Sequence, residues 1–126
     1  MNWLLVAMGG AIGATLRYGA GLLIAKPQMM FPWPTWWINV IGCLFAGIFF
    51  AFSQKYVFLQ NEARLLLMVG ILGGFTTFSS FGLEIFQLLK NGAVTMALGY
   101  AISSLIMGVI MLGIGFYLTQ LVLAQA

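Results

Sequence analysis

The sequence predicts an all-α integral membrane protein with four transmembrane helices, the third broken at mid-membrane. Three observations predict it. Of the 126 residues, 63% are hydrophobic and only 6% are charged. A soluble domain of this size cannot cover its surface with so little charge. Four apolar stretches, residues 3–24, 33–53, 63–89 and 93–123, each reach the ~20 residues that a spanning helix needs. The third stretch carries Gly73-Gly74 and Thr76-Thr77 at its centre, poor material for a continuous helix. The stretches use most of the chain, so residues 1–126 read as one transmembrane domain. They are continuous rather than alternating, which argues against a β-barrel.

Composition also excludes function classes. The N-terminus lacks a basic region ahead of its apolar stretch, and Arg17 follows that stretch, so the first span is expected to be retained rather than cleaved. Cys43 is the single cysteine and has no intrachain partner. With no histidine, an imidazole proton relay or metal site is excluded. The acids are Glu62 and Glu84, and Glu62 falls in a connection, so carboxylate-pair catalysis lacks its pair. The chain reads as no enzyme. Its five basic residues are scattered and form no nucleic-acid patch.

Span one places Gly9, Gly13 and Arg17 on one helical face. The glycines read as a close-packing stripe. An intramembrane arginine is costly and faces protein or water, unless it snorkels to the interface. A vestibule lined by Arg17 would concentrate anions. The first connection, residues 25–32, is punctuated by proline, and Pro34 suits the first turn of span two. Trp33, Trp36 and Trp37 follow as an interfacial aromatic belt. Span two carries Asn39, either an interhelical hydrogen bond or a donor lining a pore. Residues 54–62 form the second connection.

Span three is about 27 residues long. Either it breaks near its glycines and threonines or it continues as a kinked helix packed through the glycines. Unwound backbone at that depth must be buried in protein or line a cavity, and its freed carbonyls suit small cations. Phe78 and Phe81 share a face if the helix resumes, among the hydroxyls of Thr77, Ser79 and Ser80. A phenyl ring has a positive edge, which turned to a narrow path would favour a small anion. Ordinary packing explains such a pair equally well. Glu84, one turn further on, is left out of the expected site, because a carboxylate in a tight lining repels anions. Residues 90–92 form the third connection. Span four aligns Tyr100, Ser104 and Gly108 at i+4 spacing; the hydroxyls either face a polar path or bond back to their own helix.

Four spans put both termini on one side, with Lys55 and Arg64. Lys26 and Lys90 fall on the other. Orientation follows Lys and Arg bias, and here there is almost none. Either one orientation still wins, or the chain inserts both ways, which would allow an antiparallel two-fold dimer. Four helices enclose little interior, so an oligomer is expected in either case.

GGFTTFSSF (73–81), GGAIGATLRY in span one, NVIGCLFAG in span two and Tyr100 with Ser104 in span four together resemble the Fluc (CrcB) family of bacterial fluoride channels. The resemblance covers all four spans, and the span-three motif is its most specific part. It implies an antiparallel dual-topology homodimer with two fluoride pores in the bacterial inner membrane. It implies a pore lined by Asn39, Phe78, Phe81, Tyr100 and Ser104, with Arg17 in the vestibule; fluoride must exchange its water for hydrogen bonds, and Thr77 and Ser80 are expected as further donors on the path. It also implies a structural sodium ion at the dimer centre, held by the backbone carbonyls of Gly73 and Thr76. Ser80 stands where threonine is frequent, and Cys43 where serine is. The expected partners are fluoride, lipid and a second copy, and no nucleic acid. A small dual-topology multidrug or guanidinium exporter is the alternative, but that chemistry needs an acid in span one, where this chain has Arg17. A non-transporting assembly factor would need no polar stripes at matched depth.

Overall fold

The computed structural model describes residues 1–125. They are predominantly helical, with no strand among them. Helix α1 (Asn2–Ile24) ends where Ala25 turns extended ahead of Pro27, which has no N–H to continue the ladder. Helix α2 (Trp33–Lys55) takes Pro34 into its first turn. A short 3₁₀ turn, Val57–Gln60, bridges to α3, which covers residues 62–75. Helix α4 (Ser79–Lys90) and helix α5 (Val94–Ala124) complete the chain. Between α4 and α5, Gly92 adopts φ +81°. The Ala93 N–H then reaches Leu88 O (2.8 Å) and the Gly92 N–H reaches Leu89 O (3.1 Å), closing the last turn of α4 in a Schellman pattern.

Three helical segments, Trp33–Lys55, Glu62–Lys90 and Val94–Ala124, are long and apolar enough to cross a membrane. Helix α1 is long enough too, but Arg17 and its glycines dilute its apolar character. The outer surface is strongly apolar, with Trp3 and Leu23 each 89% exposed. In water such a surface would drive aggregation; in a bilayer it meets lipid tails.

The helices pack in two tight pairs. Helix α1 lies against α3, and α2 against α5, with α4 on α5. Both pairs meet through glycine. A Cβ on Gly9 would come within 2.8 Å of the Gly70 Cα, and one on Gly47 would run into the Leu112 carbonyl oxygen. The buried cluster Leu88, Ala97 and Tyr100, ringed by Phe31, Trp36, Phe81 and Ile85, joins α4 to α5 and to the first connection.

The middle of α3, Leu65–Leu72, is π-helical, a rare and wide geometry that the sequence pattern did not foreshadow. It coincides with the close approach of α1, where Leu66, Gly70 and Ile71 abut Gly9 and Gly13. The glycines expected to open the helix remain helical, in Gly73–Phe75. Helical geometry lapses three residues beyond Gly73, over Thr76, Thr77 and Phe78.

Candidate functional site

The interruption between α3 and α4 is built by threonines. Thr76 is extended (φ −80°, ψ 159°). Its hydroxyl and its N–H both donate to Leu72 O, at 2.9 and 3.0 Å, which closes α3. The Thr77 hydroxyl accepts the Ser80 N–H (3.1 Å) and so caps the start of α4. A backbone that leaves the helix must find other partners for its polar groups. Two neighbouring helices supply some of them. From α2, Asn39 Nδ2 donates to Thr77 O (3.1 Å), and the Thr77 N–H donates to Asn39 Oδ1 (2.9 Å). From α1, Arg17 Nε donates to Gly74 O (3.1 Å). The carbonyls of Gly73, Phe75 and Thr76 accept no backbone hydrogen bond among the described residues.

An open groove runs along this interruption. Asn39, Gly73, Thr76, Phe78, Phe81 and Ser104 line it together with Thr77. Phe78 is 83% exposed, with its ring 5.9 Å from that of Phe81. Phe81 in turn meets Tyr100 edge-on, centroids 5.0 Å apart at 60°. Tyr100 is completely buried and is also met edge-on by Phe31, at 5.3 Å. The hydroxyls of Tyr100 and Ser104 are buried and make no hydrogen bond of good geometry, that of Tyr100 lying toward Thr35 and Glu84. Buried polar groups are nearly always satisfied, so the Ser104 hydroxyl on the groove's lining is a hydrogen-bond donor that the chain's own contacts leave free.

Of the residues expected in a site, Asn39, Phe78, Phe81, Thr77, Ser104, Gly73 and Thr76 thus share one groove, and Tyr100 sits behind Phe81. Arg17 and Ser80 line a second cleft, with Thr35, Tyr18 and Pro34. Thr77 belongs to both clefts and is the link between them. Asn39 makes an interhelical bond and lines the groove at once, so its two readings are not exclusive.

Glu84 takes no lysine partner; its Oε1 accepts the Thr35 hydroxyl at 2.6 Å. It lines a third cleft, with Lys26, Phe31, Gln87 and Asn91. Sequence reasoning missed Thr35 and Phe31. Thr35 had a signal, lying one turn before Asn39 on the same helical face. Phe31 had none, because only tertiary packing brings it to Tyr100. No group of three or more Cys, Asp or Glu side chains could hold a metal among the described residues. The free donors for a cation are backbone carbonyls, which suit a hard ion.

Residues 4–116 match the family described as "CrcB-like protein, Camphor Resistance (CrcB)". The chain is 41% identical over 120 residues to the fluoride-specific ion channel FluC of Methylobacillus flagellatus, covering 94% of each chain. It is 45% identical to the FluC of Thermus thermophilus, over 93% of this chain and 94% of that one. It is 42% identical to the FluC of Hyphomonas neptunium, over 98% of both.

Proposed function

The chain belongs to the CrcB family, and from that membership we propose that it is a fluoride-selective channel, with no enzymatic activity, that lets fluoride leave the cytoplasm passively. The observation that carries this reading to the site is the groove along the helix interruption, where the Asn39 amide and the buried Ser104 hydroxyl share a lining with the Phe78 and Phe81 rings. Fluoride is small and holds its water tightly, so a pore must offer hydrogen bonds in exchange. Ser104, Tyr100 and the second N–H of Asn39 are the donors. Thr77 and Ser80 continue the path toward the cleft of Arg17, the entrance from bulk water. The positive ring edges of Phe78 and Phe81 serve where no donor is available. An inside-negative potential favours outward anion movement by about 2.3 kcal/mol per 100 mV.

The proposed architecture is four spanning helices, α1 included, with the interruption at mid-membrane. Two copies pack antiparallel in the bacterial inner membrane, in dual topology. The open groove and the exposed Phe78 support a second copy, because a single chain leaves the path without a wall. The unsatisfied carbonyls of Gly73 and Thr76 fit a sodium ion shared between copies, since one chain supplies too few oxygens to enclose it. Such an ion would neutralise the freed carbonyls and fasten the two interruptions together. The exporter alternative is not favoured: α1 carries no acid, and relatives of the whole chain are named as fluoride channels.

The test is anion efflux from liposomes loaded with potassium fluoride or potassium chloride, with valinomycin added to release the charge. Fast fluoride efflux without chloride efflux, diminished in Phe81→Ile and Asn39→Asp, is the expected result. Silence from folded protein would reopen the exporter reading with cationic substrates. Tag accessibility in cells tests the assembly, and a C-terminus found on only one side would rule out dual topology.

A further inference from the structure

When Thr76 turns extended, the Gly74 carbonyl loses the N–H of Phe78, its partner in a continuous helix. Its partner is instead the Arg17 side chain, 57 residues earlier, through Nε at 3.1 Å. The approach is deliberate in its sterics. A Cβ on Gly74 would lie 2.7 Å from Gly10 O and 3.1 Å from Ala14 N, so only glycine lets α1 come close enough. Gly9, Gly13 and Arg17 follow one another on the α1 face turned to α3. The guanidinium also places a positive charge at the C-terminal end of α3, where the helix dipole is negative.

We infer that Arg17 is a positioning residue: its Nε–H braces the Gly74 carbonyl and, opposite Asn39 on Thr77, holds the interruption in its open form. The two braces act from different helices and on either side of Thr76, so the extended residue between them has little freedom. Gly73 and Thr76, whose carbonyls are unsatisfied, sit between and beside these anchors. The inference rests on the channel reading only for its consequence in transport. An arginine that merely collects anions acts through charge, and lysine would replace it. A brace acts through a donor at the Nε position, where lysine has a methylene.

The experiment compares native protein with Arg17→Lys and Arg17→Ala, reading fluoride efflux against fluoride concentration together with amide exchange over residues 73–80. The expected result is a maximal rate about tenfold lower in both variants, the factor for one lost hydrogen bond, with half-saturating fluoride unchanged. Exchange at the Thr77 amide should speed by about the same factor in both. A lysine variant with native rate or native exchange would overturn the inference, as would a raised half-saturating fluoride in the alanine variant alone. Native protein offers a second reading that does not depend on variants folding. The chain has two arginines, Arg17 and Arg64. By NMR the Arg17 Nε–H should exchange with solvent far more slowly than that of Arg64, and equal rates would overturn the brace. If native protein moves no fluoride, the channel reading fails, while amide and Nε–H exchange still decide the brace.

Discussion

The two ends of the third apolar stretch meet the rest of the protein in opposite ways. Over residues 66–75, α3 touches α1 backbone to backbone. Gly9 sits against Leu66 and Gly70, and Gly13 against Ile71 and Phe75. There the two backbones leave no room for a side chain on Gly9, Gly13, Gly70 or Gly74. Toward residues 76–81 the same stretch opens: Phe78 stands out 83% exposed, the Thr76 carbonyl and those of Gly73 and Phe75 just before it lack backbone partners, and two neighbouring hydroxyls have none. The first region is finished by one chain's own packing. The second is incomplete, and its unfilled positions are polar atoms at defined places. Structural regions are recognised by closed sterics, and functional ones by hydrogen-bonding capacity that the fold has not used.

The contrast can be broken most severely in the closed region. Gly13→Leu forces a side chain into the Ile71 carbonyl, with Phe75 N only 2.8 Å from its Cβ. We expect destabilisation of about 4 kcal/mol or more, read as loss of the monodisperse species after extraction into mild detergent. In the open region the damage should be functional. Asn39→Leu removes both bonds to Thr77. Leaving that backbone unpaired costs about 2 kcal/mol, so the protein should still fold, while fluoride efflux from liposomes falls at least tenfold. An unchanged rate would show that the open region is not the path. The smallest effect sharpens the closed region instead. Gly10 lies beside Gly9 on α1, yet a Cβ there meets nothing within 4 Å. Gly10→Ala should leave the thermal midpoint unchanged or slightly raised, a stability gain of at most about 1 kcal/mol from helix propensity. A large loss would mean that another chain packs on that face.

Several features were legible along the chain because they depend on local composition. The connections at residues 25–32 and 90–92 follow from proline and glycine, which end helices wherever they stand. The polar residues of the site stood out against an oily background. Their arrangement was less legible. Glycines 73 and 74 suggested where the helix would open, yet they stay helical; Gly74 serves the approach of α1, and the threonines carry the change. Sequence pattern registers that glycine is present, but its use for flexibility or for contact depends on what lies opposite.

By itself the sequence determined an apolar helical chain, the family that its motif belongs to, and the few polar groups available for chemistry. These follow from side-chain hydropathy and hydrogen-bond capacity, which each residue carries wherever it is placed. Only the tertiary structure decided that Arg17 reaches Gly74, that Asn39 grips the Thr77 backbone, that Glu84 takes Thr35, and that Tyr100 and Ser104 are left unpaired. Those pairings join residues up to 57 positions apart. They exist because glycine-lined helix faces close to backbone contact, and where the helices then lie determines which polar atoms find a partner.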